Sequence, residues 1–166
     1  HGGASRNWTS TPKHSFRLYF RGKYGPSKLR YPLYGPAGVR EYENLVVRAC
    51  YTDTWTCRYM DPRYRPDRAQ YMRDQWMRDA QIATGNLACK GLYVSLFVDG
   101  LYWGLYNGAE HIDAEFCASH LGGTEEEYDV IKDLTELMDG TWTAWNTMFA
   151  IANAGLTSDL AYRQIQ

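Results

Sequence analysis

The sequence contains no apolar run approaching the ~20 residues needed to cross a bilayer, so no membrane-spanning segment is expected. It has no excess of one charge: 18 Lys and Arg against 19 Asp and Glu leave a net charge of −1. Nothing in that balance argues for nucleic acid or an anionic membrane as partner. It lacks the nucleophile elbow GxSxG, the metalloprotease HExxH, the dinucleotide GxGxxG and the phosphate loop GxxxxGK[ST], which removes the commonest local signatures of hydrolase, zinc and nucleotide chemistry. Repeats, low-complexity tracts and linkers are also missing, which argues against a solenoid. Cys50, Cys57, Cys89 and Cys117 fit no zinc or CxxC spacing. Cys50 and Cys57 can bridge across a short loop in a secreted protein; four free thiols fit as well, and the compartment stays open. There is no initiator Met and no signal peptide. The chain opens on His1-Gly2-Gly3 and ends at Arg163-Gln164-Ile165-Gln166 inside a helical pattern, so it reads as a piece of a longer protein, with any targeting segment outside it.

What is present is length and aromatic weight. The 166 residues suffice for one domain with a real core, burying roughly 70% of the unfolded surface. Fourteen Tyr and six Trp can line clefts as well as cores. The organising stretch is Leu92 to Asn107. Tyr93 to Val98 and Leu101 to Tyr106 read as strands, and Asp99-Gly100 between them supplies the two positive-φ positions of a type I′ turn. Both faces are mostly apolar, which predicts a hairpin inside a sheet rather than at its rim. Gly104 interrupts the return strand, as at a bulge or a close approach by a backbone or ligand.

Around this hairpin, Ser15 to Arg21 alternates as a half-buried strand and Leu45 to Cys50 reads as another. Gly22 to Gly38 is predicted to be a loop, and Tyr51 to Pro66 irregular. From Asp67 the period becomes helical, with Ala69, Met72, Trp76, Ala80 and Ala83 on one stripe, Asp67 as cap and Gly85 as stop. Asp113 is predicted to cap a helix over Ala114 to Leu121, stopped by Gly122-Gly123. Tyr128 to Lys132 suits a strand. Trp142, Trp145, Phe149 and Ala152 stripe another helix, and Ser158 starts one more. Strands first and helices after is an α+β order.

The residues alone offer few chemical handles. The glycines of His1-Gly2-Gly3-Ala4-Ser5-Arg6 can turn backbone N–H groups toward an anion, with Ser5 and Arg6 as further donors. Lys13, just before the first strand, could reach phosphate as the strand lysine of kinases does. Without a phosphate-loop consensus, a Gly-rich turn and a solvated lysine explain the same residues. Glu110 and Asp113 could hold a metal or pair with Lys13, but Asp113 fits better as a cap. His111 shows no partner and reads as surface, while His120 fits the inner side of its helix. Arg73, Asp74, Arg78 and Asp79 are expected on a solvated helix face, with Asp74 and Arg78 pairing across one turn. Tyr102, Trp103 and Tyr106 could stack on a flat ring, or serve the core.

Several segments in order resemble the CotH family of spore-coat-type atypical kinases. His-Gly-Gly-Ala-Ser-Arg followed by Pro12-Lys13-His14-Ser15-Phe16-Arg17-Leu18 is similar to the family's G-x-S-[SR] turn and P-K-[KH]-S-[FY]-R-[LI]. Leu29 to Tyr34 matches L-x-Y-P-L-F, Tyr71-Met72-Arg73-Asp74 the "R-D" helix, Asp99 to Tyr106 the N-G-x-Y-W-G-L-Y hairpin, and Glu110-His111-Ile112-Asp113 the E-R-[IP]-D segment. The correspondence runs from residue 1 to about 132.

The resemblance implies a kinase-like fold, with residues 1–166 as one domain fragment built on a mixed or antiparallel sheet. It implies transfer of phosphate from ATP, with Mg2+, to protein Ser or Thr hydroxyls. The implied nucleotide-binding residues are Ser5, Arg6, Lys13, Tyr102, Tyr106 and Glu110, with Glu110 as partner of Lys13. The implied partner is a protein substrate, in a secreted, cell-surface or spore-associated setting. Asp99 for Asn suits the turn equally well. His111 for Arg removes a fixed charge. The family's later D-W-x-x-N and W-D-x-D motifs, which would supply catalytic and metal carboxylates, do not occur before Gln166. No metal ligand is therefore assigned within the chain, and the fragment alone is expected to be inactive. The alternative is a non-catalytic module of a secreted or surface protein, binding carbohydrate or protein through its aromatic face.

Overall fold

A computed structural model describes residues 4–36, 38–58 and 66–165. The chain divides into two compact units, His1–His111 and Ile112–Gln166, and the fold is α+β.

The first unit is built on β1 (Phe16–Tyr19), β4 (Asn44–Arg48), β5 (Gly91–Val98) and β6 (Leu101–Ala109), in the spatial order β1-β4-β6-β5. Every pairing is antiparallel, so the sheet is not mixed. The hairpin turn has the backbone its residues demand, with Asp99 at φ 48° and Gly100 at φ 80°. A bulge follows on β6: Leu96 faces Gly104 and Phe97 faces Tyr102, leaving Trp103 as the extra residue. Gly104 takes φ 129° there, a conformation a side chain resists. The core of the sheet is Val47, Ala49 and the fully buried Tyr106, with Phe16, Val94 and Leu96 packed around them.

The hairpin is less interior than its apolar faces suggested. β6 lies inside the sheet, but β5 is an edge. On the β6 side β4 pairs only with residues 107–109 and then leaves, because Cys50 turns left-handed at φ 55°. The tip beyond has no third strand among the described residues, and Phe97, Leu101, Tyr102 and Trp103 are exposed. The predicted 22–38 loop also holds a two-residue strand, β2 (Leu29–Arg30), which pairs with β3 (Glu41–Tyr42). Prolines and glycines on either side masked so short a ribbon.

Helix α1 (Arg73–Ala83) starts six residues later than the sequence suggests. Asp67 sits in a separate 3-10 turn, Pro66–Arg68. The donors ahead of α1 are taken by Asp53: its buried carboxylate accepts from Gln70 N (2.8 Å) and Arg73 N (3.1 Å) and pairs with Arg73 Nε (3.4 Å). Gly85 ends the helix as expected. The apolar stripe, however, points outward, with Met72 and Trp76 54% and 63% exposed. Gln75 and Arg78 turn to the sheet instead. The reason is Asn107, an amide on β6 left 1% exposed, which must be hydrogen-bonded. Arg78 Nη2 donates to its Oδ1, and its Nδ2 donates to Gln75 Oε1 (2.9 Å).

In the second unit, α2 (Ala114–Leu121) is capped by Asp113, whose Oδ1 accepts from Phe116 N (3.1 Å), and is stopped at Gly122. β7 (Val130–Lys132) pairs with β8 (Glu136–Asp139), a strand the sequence reading missed. Asp139 accepts from Ala114 N (3.0 Å), tying that ribbon to α2. α3 (Thr143–Asn153) carries the Trp145–Phe149 contact, with centroids 4.8 Å apart. α4 (Asp159–Arg163) starts on a Ser158 cap.

Asp53→Ala leaves two backbone donors and a guanidinium without their acceptor. It should lower stability by about 2–3 kcal/mol, seen as a lower urea midpoint with an unchanged slope.

Candidate functional site

The site can be built from the point where β4 departs. Beyond Arg48, β6 has lost its neighbour, and the Leu105 carbonyl would be an unpaired acceptor at the sheet. Two side chains answer it. The Lys13 ammonium, arriving from the segment before β1, donates to Leu105 O, and so does the Tyr71 hydroxyl. Lys13 also donates to Tyr71 Oη. Its ammonium lies 4.6 Å from the centroid of the Tyr71 ring and 4.3 Å from that of Tyr106, a cation held between two π faces. The bulge makes room: a Cβ at Gly104 would meet Lys13 Cε at 3.6 Å.

Partial burial lowers the Lys13 pKa; the nearby Cys50 thiol works the other way. Burial raises the Tyr71 hydroxyl, helped by Cys50, so it stays a protonated donor. Cys50 and Tyr71 are both left-handed, at φ 55° and 64°. Two non-glycine residues in that region beside one lysine is the kind of concentrated backbone strain found at working sites. Trp55 stacks on the other side of Tyr71, with planes 11° apart.

The other expected residues distribute unevenly. Ser5 lies in a 3-10 turn, Ala4–Arg6, where its carbonyl accepts from His14 Nδ1 (3.2 Å); Arg6 is exposed. The Gly2-Gly3 turn lies outside the described residues. Tyr106 is 0% exposed, so its ring serves the core and Lys13, not a stacked base. Tyr102 is exposed at the hairpin tip against Phe97, centroids 5.4 Å apart. Glu110 does not pair with Lys13. It lies five residues past Leu105, roughly 16 Å along an extended chain, and its buried carboxylate accepts from Lys90 N (2.7 Å). Burial raises the pKa of Tyr34 and Cys89, and Glu110 adds to both shifts. His111 is no bare surface residue: its Nδ1 accepts from Arg17 Nη2 (3.1 Å). His120 packs on Phe116, 4.4 Å between centroids. The Cys50–Cys57 bridge does not form; all four cysteines are free thiols.

The sequence reading named Lys13 but missed Cys50 and Tyr71, which enclose it. Tyr71 falls inside the "R-D" segment, the one available signal. It likewise left Arg48 and Asp74 unlinked, though Arg48 Nη2 lies 3.2 Å from Asp74 Oδ2. Among the described residues no three His, Cys, Asp or Glu side chains converge to hold a metal ion, so these residues by themselves do not fit Mg2+. For a phosphate the fit is better: Lys13 is fixed, partly desolvated and cationic, and among the described residues one of its three N–H donors is uncommitted.

Comparison with known families agrees with this set of segments. The CotH kinase protein family model matches residues 1–148, and the match is to the N-terminal part of that domain. The chain therefore belongs to the CotH family. No curated protein and no solved structure matches it. No helix among the described residues is long and apolar enough to cross a membrane.

Cys89 is buried, and burial pushes its thiol from 9.0 up to about 11, with Glu110 adding to the shift. The unfolded thiol ionises first, so this contribution is present below pH 9 and lost as pH rises from 9 to 11. Urea melts should show the wild type losing more stability than Cys89→Ala between pH 8.5 and 10.5. Equal losses would mean that Cys89 is not the titrating group.

Proposed function

We propose that the chain is part of an ATP-dependent protein kinase domain that transfers phosphate to Ser or Thr hydroxyls. Membership of the CotH kinase family over residues 1–148 supports the reaction class. The observation that carries the reading is Lys13: a cation fixed by a hydroxyl, a carbonyl and two rings, with a donor left over among the described residues. Phosphoryl transfer rests mainly on positioning and charge neutralisation, and a preorganised, partly desolvated ammonium supplies both to an incoming phosphate. When bound, ATP supplies the phosphoryl group and a divalent ion neutralises the oxygens around it. The carboxylates for that ion are proposed to come from sequence beyond Gln166, which would also complete a kinase-like fold. Ser5 and Arg6 lie in the turn next to His14 and are proposed to approach the same phosphates. Tyr102, half the hairpin away from Lys13, is the remaining candidate for the base.

The exposed hairpin tip favours a second reading, a binding module for a protein or glycan. Phe97, Leu101, Tyr102 and Trp103 form an apolar end with no partner strand among the described residues.

Calorimetry with Mg-ATP on the protein extended to its natural C-terminus separates the two. Binding is expected, with at least tenfold weaker affinity in Lys13→Met, which keeps most of the stem that packs on the rings. An extended protein that binds no Mg-ATP would overturn the kinase reading and leave the binding module.

A further inference from the structure

Lys13 and Glu110 were expected to pair and do not, but a strand cation and a helix carboxylate do form a pair in this fold. Arg48 closes β4, and Asp74 lies in the first turn of α1. Their contact, Nη2 to Oδ2, is 3.2 Å. An isolated surface ion pair of this sort contributes little and is often adventitious. This one is anchored from below. The same Asp74 oxygen takes Arg78 Nη2 at 3.4 Å, and the Arg78 side chain is only 13% exposed. Arg78 in turn donates to the buried Asn107 and to Gln75 Oε1 (2.9 Å). Asn107 sits opposite Arg48 in the β4–β6 register. Strand, helix and buried amide thus fix the carboxylate, and the carboxylate fixes the guanidinium.

The guanidinium is not used up by this. It has five N–H donors in a fixed fork, and among the described residues its side chain meets one acceptor, Asp74. Side-chain exposure is 45% for Arg48 and 46% for Asp74, so the remaining edge faces solvent. Arg48 stands opposite Asn107 on β6, two residues from Leu105, whose carbonyl takes the Lys13 ammonium, so both positive charges belong to the end of β4. A planar fork held still beside a second cation suits a polyphosphate, which takes guanidinium bidentately.

We propose that Arg48 is a phosphate-binding residue of this domain, gripping the nucleotide's polyphosphate with the edge that Asp74 leaves open, and that Asp74 is its positioning residue. This rests on the reading of the chain as part of an ATP-dependent kinase, with Arg48 added to Lys13. Asp74 touches no phosphate itself; it sets the plane of the fork.

The test is titration of the naturally extended protein with inorganic tripolyphosphate and with Mg-ATP. Wild type, Arg48→Gln, Arg48→Lys, Asp74→Asn and Lys13→Met are compared, with urea midpoints measured alongside. Arg48→Gln should weaken tripolyphosphate binding at least tenfold. Arg48→Lys, which keeps the charge on the strand but loses the fork, should fall between it and wild type. Asp74→Asn should weaken binding a few-fold and make it more sensitive to salt. Wild-type affinity in Arg48→Gln, with loss in Lys13→Met, overturns the Arg48 assignment and leaves the kinase reading standing. A lower urea midpoint in Asp74→Asn with unchanged affinity overturns the positioning role. No binding of either ligand by the wild type overturns both the inference and the reading beneath it.

Discussion

The early departure of β4 is the constraint on which the first unit depends. A strand inside a sheet needs a neighbour on each side, and β6 has one only as far as Asn107. At Leu105 the missing partner is replaced by an ammonium and a phenol brought from segments 92 and 34 residues away in sequence. That replacement needs room, which the Gly104 bulge gives, and it needs two chain reversals, at Cys50 and Tyr71. Each reversal costs of order 1–3 kcal/mol in backbone strain. The strain is offset by satisfying a carbonyl at the core's edge and by the packing of Lys13 between two tyrosine rings.

The same sheet dictates how α1 docks. A helix over an apolar sheet ordinarily turns its apolar stripe inward. Here Asn107 stands in the docking face with 1% exposure, and a buried amide without partners costs more than an exposed tryptophan. Gln75 and Arg78 therefore go in and Trp76 goes out. The polar interior also gives specificity: the amide, the glutamine and the guanidinium fit together in one register of helix on strand, which a greasy face would not enforce.

Elements set by neighbouring residues were legible in the sequence. The Asp99-Gly100 turn, the caps at Asp113 and Ser158 and the stop at Gly85 all formed as read, because their partners lie within four residues. What failed was set across distance. Asp53 caps a helix twenty residues downstream, and no local pattern marks it. The inner face of α1 was misread because periodicity counts apolar residues and cannot see Asn107 waiting on β6. β8 was too short and too mixed to stand out. At the candidate site, Lys13 was reached through the family's motif, yet its partners Tyr71, Cys50 and Leu105 come from three other parts of the chain. The expected Lys13–Glu110 pair failed on strand geometry: five residues of extended chain separate Leu105 from Glu110, more than a lysine side chain can span.

The two cations near the end of β4 are suited to different work. A lysine loses its charge more readily as it is buried, and Lys13 is already shifted that way by its surroundings. The two hydrogen bonds it donates and its two ring contacts make it a fixed point in the sheet. An arginine keeps its charge under the same pressure and offers a planar edge. Arg48 stands further into solvent, with a carboxylate behind it that limits repulsion between the two positive charges. A polyphosphate carries charge spread over several oxygens along its length. A site for it gains from one cation held deep and one presented on a rigid fork, and the geometry of β4, β6 and α1 provides that division.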